Sequence, residues 1–501
     1  MQPTHDIRLL LAILAPLIGA GLVMANGKRP NVREACSFLA ATVLFVITAS
    51  MVPSILEGKR LHFVLFQLLP GINGASGLSI SLRADALSMI FAVSASFLWI
   101  LTVFYSAGYM RGLEEHAQTR FNTCFALALF GAIGCAFSDN LLTLYLFYEI
   151  VSICTYPLVA HHQDEEGYEG GKKYLTYLTA TAKGLILPAM VLIYVLSGTL
   201  DFASNIHTGI IPPNVHHGII AALYACCILG FAKNGVMPFH NWLPSAMVAP
   251  TPVSALLHAV AVVKVGVFST VRVMLYVFGV DTMHALNLGL PTAYFVSITI
   301  IVGSIVALSK DNLKARLAYS TVSQLSYIIL GVALLTPAGI EGGLIHIANH
   351  AFSKITLFFC AGAIYVVTHK KNISEMSGLG RAMPFTFGAF ALASLSMIGA
   401  PPVAGFVTKW YLLNGAFDAG SVGIIIVLLV STLLNAAYFA PVVYQAFFGR
   451  ASEADAKHQY KEAHPAMLIP LSITAAISVL IGLYPNFLMH LVQFVTRQPI
   501  S

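Results

Sequence analysis

The sequence predicts an all-α polytopic membrane protein of about fourteen transmembrane helices, with helices 7 and 12 broken and two inverted five-helix repeats. Three observations carry this. The 501 residues are 57% hydrophobic and only 10% charged, with a mean hydropathy of +0.80, more apolar material than a soluble core of this size needs. Apolar stretches of about 20 residues, the length that crosses a bilayer as a helix, recur down nearly the whole chain. Two of these stretches are interrupted by clustered prolines.

The elements follow in order. MQPTHDIR is only weakly basic, so the apolar run behind it reads as a first retained helix rather than a cleaved signal. Span centres fall near residues 16, 46, 96, 130, 151, 186, 228, 265, 300, 326, 354, 400, 432 and 476. Helix 7 runs into NGVMPFHNWLPSAMVAPTPVSALL, with Pro238, Pro244, Pro250 and Pro252, and helix 12 contains MIGAPPVAGF, with Pro401 and Pro402. Proline inside a span frees backbone groups that neighbours or water must satisfy, so such breaks mark a buried polar path more often than a lipid face. The breaks lie about 160 residues apart, at comparable places in two five-helix blocks, which suggests an inverted internal repeat. The expected division is 1–120 for helices 1–3, 121–280 for helices 4–8, 290–449 for helices 9–13, and 465–501 for helix 14 and the tail.

Charge orients the chain. The segments 26–35, 109–122, 161–173, 309–316, 369–381 and 448–464 hold sixteen of the 27 Lys and Arg, whereas the opposite side and the termini hold Arg8, Lys59, Arg60, Arg83 and Arg497. By the positive-inside rule the basic loops are cytoplasmic and both termini face outward. Six basic residues remain within spans: Lys183, Lys233, Lys264, Arg272, Lys354 and Lys409. Snorkelling to an interface accounts for Lys183 and Arg272. It does not account for four lysines at similar depth on four helices.

A charge at mid-bilayer costs at least about 2.5 kcal/mol, so it usually faces a protein interior and serves a function. A lysine sequestered from water has its neutral form favoured and can gain and lose a proton in the working pH range. Among acids, only Glu149 sits deep in an apolar span, with Asp139 at the turn before it. It is either half of a structural ion pair or half of a switchable acid–lysine pair. His258 precedes Lys264 by six residues, and LIHIANHAFSKITLFF sets His346, His350 and Lys354 at i, i+4 and i+8, one narrow stripe of a helix. Histidine both donates and accepts, so it can link amines too far apart for direct transfer. No carboxylate or thiol stands on that stripe, which disfavours a metal there. HHQDEEGYEGGKK (161–173) is metal-like in composition but reads as a solvated loop, with Lys173 at its membrane edge. Seven cysteines lie in or beside apolar segments without metal or disulfide spacing, and no nucleotide, haem or iron–sulfur motif occurs. The expected cofactor and metal complement is therefore none.

FAKNGVMPFHNWLPSAMVAPTPVSALLHAVAVVKVG closely resembles the signature of the proton-conducting antiporter-like membrane subunits of respiratory complex I, shared by the large subunits of Mrp-type cation/proton antiporters. HIANHAFSKITLFF and GAPPVAGFVTKW resemble that family's helix 11 and helix 12 motifs, and the resemblance spans roughly residues 80 to 450. Length and the ending VVYQAFFG look most like the D-type subunit of the Mrp antiporters. The resemblance implies a fourteen-helix fold of two inverted repeats. In it Glu149 and Lys233 would pair and separate, Lys264, His258, His346, His350 and Lys354 would connect, and Lys409 would end the path. In some members an acid accompanies the helix 12 lysine, whereas Trp410 follows Lys409 here. Because the sequence stops soon after helix 14, the long lateral helix of the largest such subunit is expected to be lacking. The expected function is proton translocation within a multi-subunit sodium/proton antiporter. The alternatives are a redox-driven proton pump and, more weakly, a module for inorganic carbon uptake. Expected partners are other hydrophobic subunits, including a neighbouring antiporter-like one, protons, sodium, and lipid of a bacterial or archaeal cell membrane.

Overall fold

Eleven helices of the computed structural model, which describes residues 3–71, 76–450 and 460–497 without the side chains of 3 and 258–260, are long and apolar enough to cross a membrane. They are α1 (Arg8–Ala25), α2 (Pro30–Leu56), α3 (Ala86–Gly112), α4 (Gln118–Ala136), α5 (Leu141–Val159), α6 (Glu165–Ser197), α8 (Thr251–Phe278), α9 (Gly289–Ser309), α11 (Pro337–Thr368), α14 (Val422–Phe448) and α15 (Pro465–Leu483). Between and after them lie α7 (His217–Gly230), α10 (Leu313–Ala333), α12 (Pro384–Ile398), α13 (Ala404–Asp418) and α16 (Asn486–Thr496). Each span centre read from the sequence falls in one of these helices except residue 400, which falls in the gap between α12 and α13. That gap is the break expected in helix 12. The other break follows α7, where the chain passes through short helical turns at Ala232–Asn234, Trp242–Ser245 and Ala246–Val248 before α8 begins.

Burial sorts the helices into layers. The most apolar stretch of α8 is buried throughout, and those of α11 and α3 nearly so, whereas α1, α2, α14 and α15 bury only about a third of theirs. A helix apolar on all sides belongs inside a bundle, and one exposing Val46, Val195, Leu433 or Ile469 belongs against lipid. Small residues let the central helices meet. A Cβ on Gly331 of α10 would lie 2.7 Å from the Cα of Gly343 of α11, and one on Gly415 of α13 would lie 2.4 Å from the Cα of Gly339 of α11. Close backbone approach of this kind drives helix association in lipid, where apolar burial alone gives no preference.

A three-stranded sheet is added to the all-helical frame: β1 (Pro3–His5) pairs in parallel with β2 (Arg60–Leu69), and β2 pairs antiparallel with β3 (Leu78–Ala84). Asp85 ends β3 and caps α3, accepting from the Ser88 N–H at 2.9 Å. Arg272 of α8 grips the same carboxylate with two bonds of 2.5 and 2.9 Å, and Arg83 approaches it at 3.2 Å. The Arg272 guanidinium also lies 4.7 Å from the Tyr276 ring centre. These findings correct the sequence reading of Arg272. Arg272 does not reach an interface but is fully buried, and Arg83 is only 6% exposed. The reason is a carboxylate 187 positions away in sequence, a partner that helical spacing cannot reveal.

Replacing Asp85 by Asn would leave the buried Arg272 without its paired carboxylate and facing the like charge of Arg83, which keeps only Asp139 at 3.5 Å. Losing one partner of a buried pair costs about 3–5 kcal/mol. Asp85→Asn should therefore lower the thermal midpoint in detergent, and adding Arg272→Met should restore part of it. A midpoint unchanged in Asp85→Asn would deny the pair its anchoring role.

The sheet has a second anchor, His62 Nε2 to Asp139 Oδ2 at 2.9 Å, with Arg83 3.5 Å from the other oxygen of Asp139. The hydrogen bond to Asp139 raises the His62 pKa above its ordinary 6.5, against burial and the nearby Arg83, with Asp201 assisting weakly. A raised histidine pKa stabilises the fold fully below the unfolded value, and that stability is lost as pH rises through the folded value. The thermal advantage of wild type over His62→Gln should thus be largest below pH 6.5 and fade in alkali. A constant difference across that range would contradict it.

Candidate functional site

The breaks and the close packing of α8 on them bring the span lysines into the interior. Lys233 sits in the short turn after α7. Gly266 of α8 makes room for it: a Cβ there would lie 2.2 Å from the backbone of Lys233 and Asn234. The amine of Lys233 donates to the Tyr148 carbonyl at 2.9 Å and to Ser152 Oγ at 2.6 Å, both on α5, and stands 3.2 Å above the Tyr148 ring. Glu149, next to Tyr148, does not pair with it: among the described residues no ion pair within 4.0 Å joins them. Glu149 Oε1 is buried without a hydrogen bond. Its carboxylate feels both Lys233 and the exposed Lys183 through space.

Lys264 of α8 reaches the α11 stripe directly, its Nζ lying 2.9 Å from His350 Nδ1. The ring of His350 lies 5.6 Å, centre to centre, from that of His346. His346 Nδ1 in turn lies 3.2 Å from Thr408 Oγ1 of α13, and Asn349 donates to the same hydroxyl at 2.9 Å. Lys409 is the next residue along. Its amine donates to the Ile398 carbonyl at 2.6 Å, freed by the break, and to Thr432 Oγ1 at 2.8 Å. The break itself needs glycine twice. Gly399 has φ +88°, and a Cβ there would strike the Lys409 stem, while a Cβ on Gly405 would strike the Ser396 carbonyl.

Lys354 shares the α11 stripe but turns to a flank. It donates to Ser320 Oγ at 2.8 Å and to the Leu317 carbonyl at 3.3 Å on α10. Ser320 is 3.1 Å from the Tyr438 hydroxyl, which donates to Asn435 at 2.5 Å. His258 lies on α8, in a stretch of wide i→i+5 turns (Ser254–Ala261), and its side chain falls outside the described residues. The spatial order among the rest is Lys264, His350, His346, Thr408 and Lys409, with Lys354 beside it and Lys233 against α5.

The sequence reading missed the neutral partners Tyr148, Ser152, Ser320, Thr408 and Thr432. Their one signal is a hydroxyl inside an apolar helix, which is too common to single out. It also named Glu149 as the sole acid deep in a span. Glu341, in the first turns of α11, is buried as well and accepts from Thr496 Oγ1 at 2.8 Å. Two orphaned ring nitrogens, His346 Nε2 and His350 Nε2, and the Gln324 amide nitrogen are buried without a hydrogen bond at the same interface.

Fold and site together define a multi-pass membrane protein with an interior row of ionisable side chains. The chain belongs to the NADH:quinone oxidoreductase/Mrp antiporter family of membrane subunits, whose transmembrane region matches residues 138–435. Residues 73–122 match the N-terminal region described for chain 5 of NADH-ubiquinone oxidoreductase (complex I). NADH-quinone oxidoreductase subunit N of Desulforudis audaxviator is 31% identical over 83% of this chain and 84% of its own. Subunit L of Mycobacterium tuberculosis is 31% identical over 96% of this chain and 75% of its own. The Na(+)/H(+) antiporter subunit A1 of Staphylococcus haemolyticus is 29% identical over 89% of this chain and 57% of its own. Among solved structures, a chain of the Mrp complex from a Dietzia species shares the fold at TM-score 0.85 with 21% identity, covering 97% of this chain and 96% of that one. A chain of the archaeal membrane-bound sulfane sulfur reductase does so at 0.83 with 22% identity, covering 98% and 97%.

Proposed function

We propose that this chain is the proton-translocating subunit of a multi-subunit monovalent cation/proton antiporter, sodium being the expected cation. The observation that carries the reading is the contact of Lys264 Nζ with His350 Nδ1 at 2.9 Å, inside a bundle where both groups are wholly buried. In that contact the ammonium donates to a neutral imidazole. Transfer moves one proton onto Nδ1 and leaves a neutral amine, while the proton on Nε2 departs toward His346. His346 Nδ1 faces Thr408, beside Lys409, which ends the row at a half-buried position. The orphaned Nε2 atoms are the groups a hydrated path would bond. Glu149, unpaired beside Lys233, would gate entry by approaching and leaving that amine. In this reading the chain lies in a bacterial or archaeal cell membrane with both termini outside, its two five-helix blocks spanning 121–280 and 290–449.

Lysine serves here because it can exist in both charge states, whereas arginine stays charged. Lys264→Ala and Lys264→Arg should each lower potential-driven proton-coupled flux of the assembled complex in proteoliposomes by roughly 10²-fold, the scale of losing a positioned proton-transfer group. Assembly should remain intact in both. Unimpaired flux in either variant removes Lys264 from the path.

A second reading, a proton-pumping subunit of a redox-driven complex, is favoured by relatives named as NADH-quinone oxidoreductase subunits. Mild detergent purification distinguishes the two. The antiporter reading expects only further hydrophobic subunits to accompany the chain, and co-purifying iron–sulfur or nickel–iron subunits would replace it with the redox reading.

A further inference from the structure

Away from the lysine row, at the ends of α3 and α5, four chemistry-bearing side chains converge. Glu115 and His116 lie in the turn joining α3 to α4, and His161 and His162 follow α5. One ligand atom each from Glu115, His116 and His161 lies within 4.8 Å of the other two. His161 Nε2 is 3.7 Å, and His162 Nδ1 3.6 Å, from the same Glu115 oxygen. The His116 and His161 rings lie 4.8 Å apart.

His161 departs from the reading of 161–173 as a solvated loop. The stretch from His162 to Glu166 is exposed as expected, but the His161 side chain is 0% exposed, and both its ring nitrogens lack a hydrogen-bond partner. A buried imidazole with neither nitrogen bonded forfeits interactions it would have with water, at a cost of about 1–3 kcal/mol. Native proteins seldom carry such a group without a reason. The backbone is fixed by a bond from Arg120 Nη2 to the His161 carbonyl at 2.8 Å, which turns that guanidinium to the main chain. Phe121 packs edge-on against the ring at 5.7 Å. The ring is therefore held in place with its lone pair available.

We infer that Glu115, His116 and His161, with His162 as fourth donor, form a site for a divalent transition metal of the zinc class. Imidazole nitrogen and carboxylate oxygen are the donors such an ion takes, at about 2.0–2.2 Å in a tetrahedral shell. Donors around a tetrahedral ion stand about 3.3 Å apart, so the contacts of His161 and His162 with Glu115, at 3.7 and 3.6 Å, are already near that spacing. His116 and His162 are exposed, their rings resting against that of His161. Only Glu115 and the buried His161 are pre-set. The ion would tie the α3–α4 turn to the start of α6. It would sit at the rim of a cavity of about 500 Å³ that Glu115 and His162 line together with Asp164, Glu166, Lys314 and Lys371. The inference does not depend on the lysine row carrying protons.

The test is a zinc titration of the purified full-length chain in its complex, stripped with a chelator and read in competition with a chromophoric one. Wild type should hold one zinc per chain at micromolar affinity or better, and Glu115→Gln and His162→Ala should each weaken it by about 10-fold or more, the scale of losing supporting ligands. His161→Ala should abolish it. Should that variant fold poorly, Glu115→Gln and His162→Ala still decide. X-ray absorption at the zinc edge should show nitrogen and oxygen donors with imidazole scattering. His207→Ala, at a distant histidine, should bind zinc as wild type does. Absence of binding to wild type at 0.1 mM zinc, or equal binding in Glu115→Gln and His162→Ala, would overturn the site.

Discussion

The structure depends on one constraint: a charged amine in a hydrocarbon-like interior must find all its hydrogen-bond acceptors within the protein. Three lysines meet it in the same way, with one backbone carbonyl and one hydroxyl. Lys233 takes Tyr148 and Ser152, Lys354 takes Leu317 and Ser320, and Lys409 takes Ile398 and Thr432. Lys264 instead takes an imidazole nitrogen. None of these acceptors carries a charge, so the amine can lose its proton without leaving an unpaired anion buried beside it. Arg272 meets the constraint differently. It is locked to Asp85 by two charge-assisted bonds, and neither partner can change state without exposing the other. The interior therefore holds two kinds of cation, one locked to a carboxylate, the other held by neutral acceptors alone.

Helix breaks make the lysine arrangement possible. Inside a continuous helix a carbonyl already accepts one N–H, so Tyr148 of α5 and Leu317 of α10 offer Lys233 and Lys354 only a second lone pair. Where α12 stops at Ile398, a carbonyl becomes available, and Lys409 on the following helix takes it. Gly399, Gly405 and Gly266 let backbone segments approach at distances a Cβ would forbid, so the lysines beside the breaks meet their acceptors rather than lipid. Breaks, glycines and lysines thus form one device, and each is costly in a membrane without the other two.

The candidate site was legible in part. Glu149, Lys233, Lys264, His346, His350, Lys354 and Lys409 stand out because an ionisable residue in an apolar run is rare, and their burial follows from the same energetics. The stripe at i, i+4, i+8 is a local property of one helix. What the stripe faces is not. That Lys264 meets His350, that Lys354 turns aside to Ser320, and that Glu149 stands apart from Lys233 depend on how α5, α8, α10, α11 and α13 pack. Arg272 shows the limit most plainly, since its reading as a snorkelling residue was reasonable until a carboxylate from the start of α3 appeared beside it. His161 fails the sequence reading for the same reason, because hydrophilic neighbours hid a ring that the fold buries.

The sequence by itself determined a membrane-spanning helical chain, the positions of its two breaks and the ionisable residues held at mid-span, because lipid penalises polar groups residue by residue and local pattern records that penalty. Tertiary structure alone decided which acceptor each cation takes, which charges are fixed, and where loops from distant segments converge. Those outcomes rest on contacts between helices tens to hundreds of residues apart, which only close packing creates.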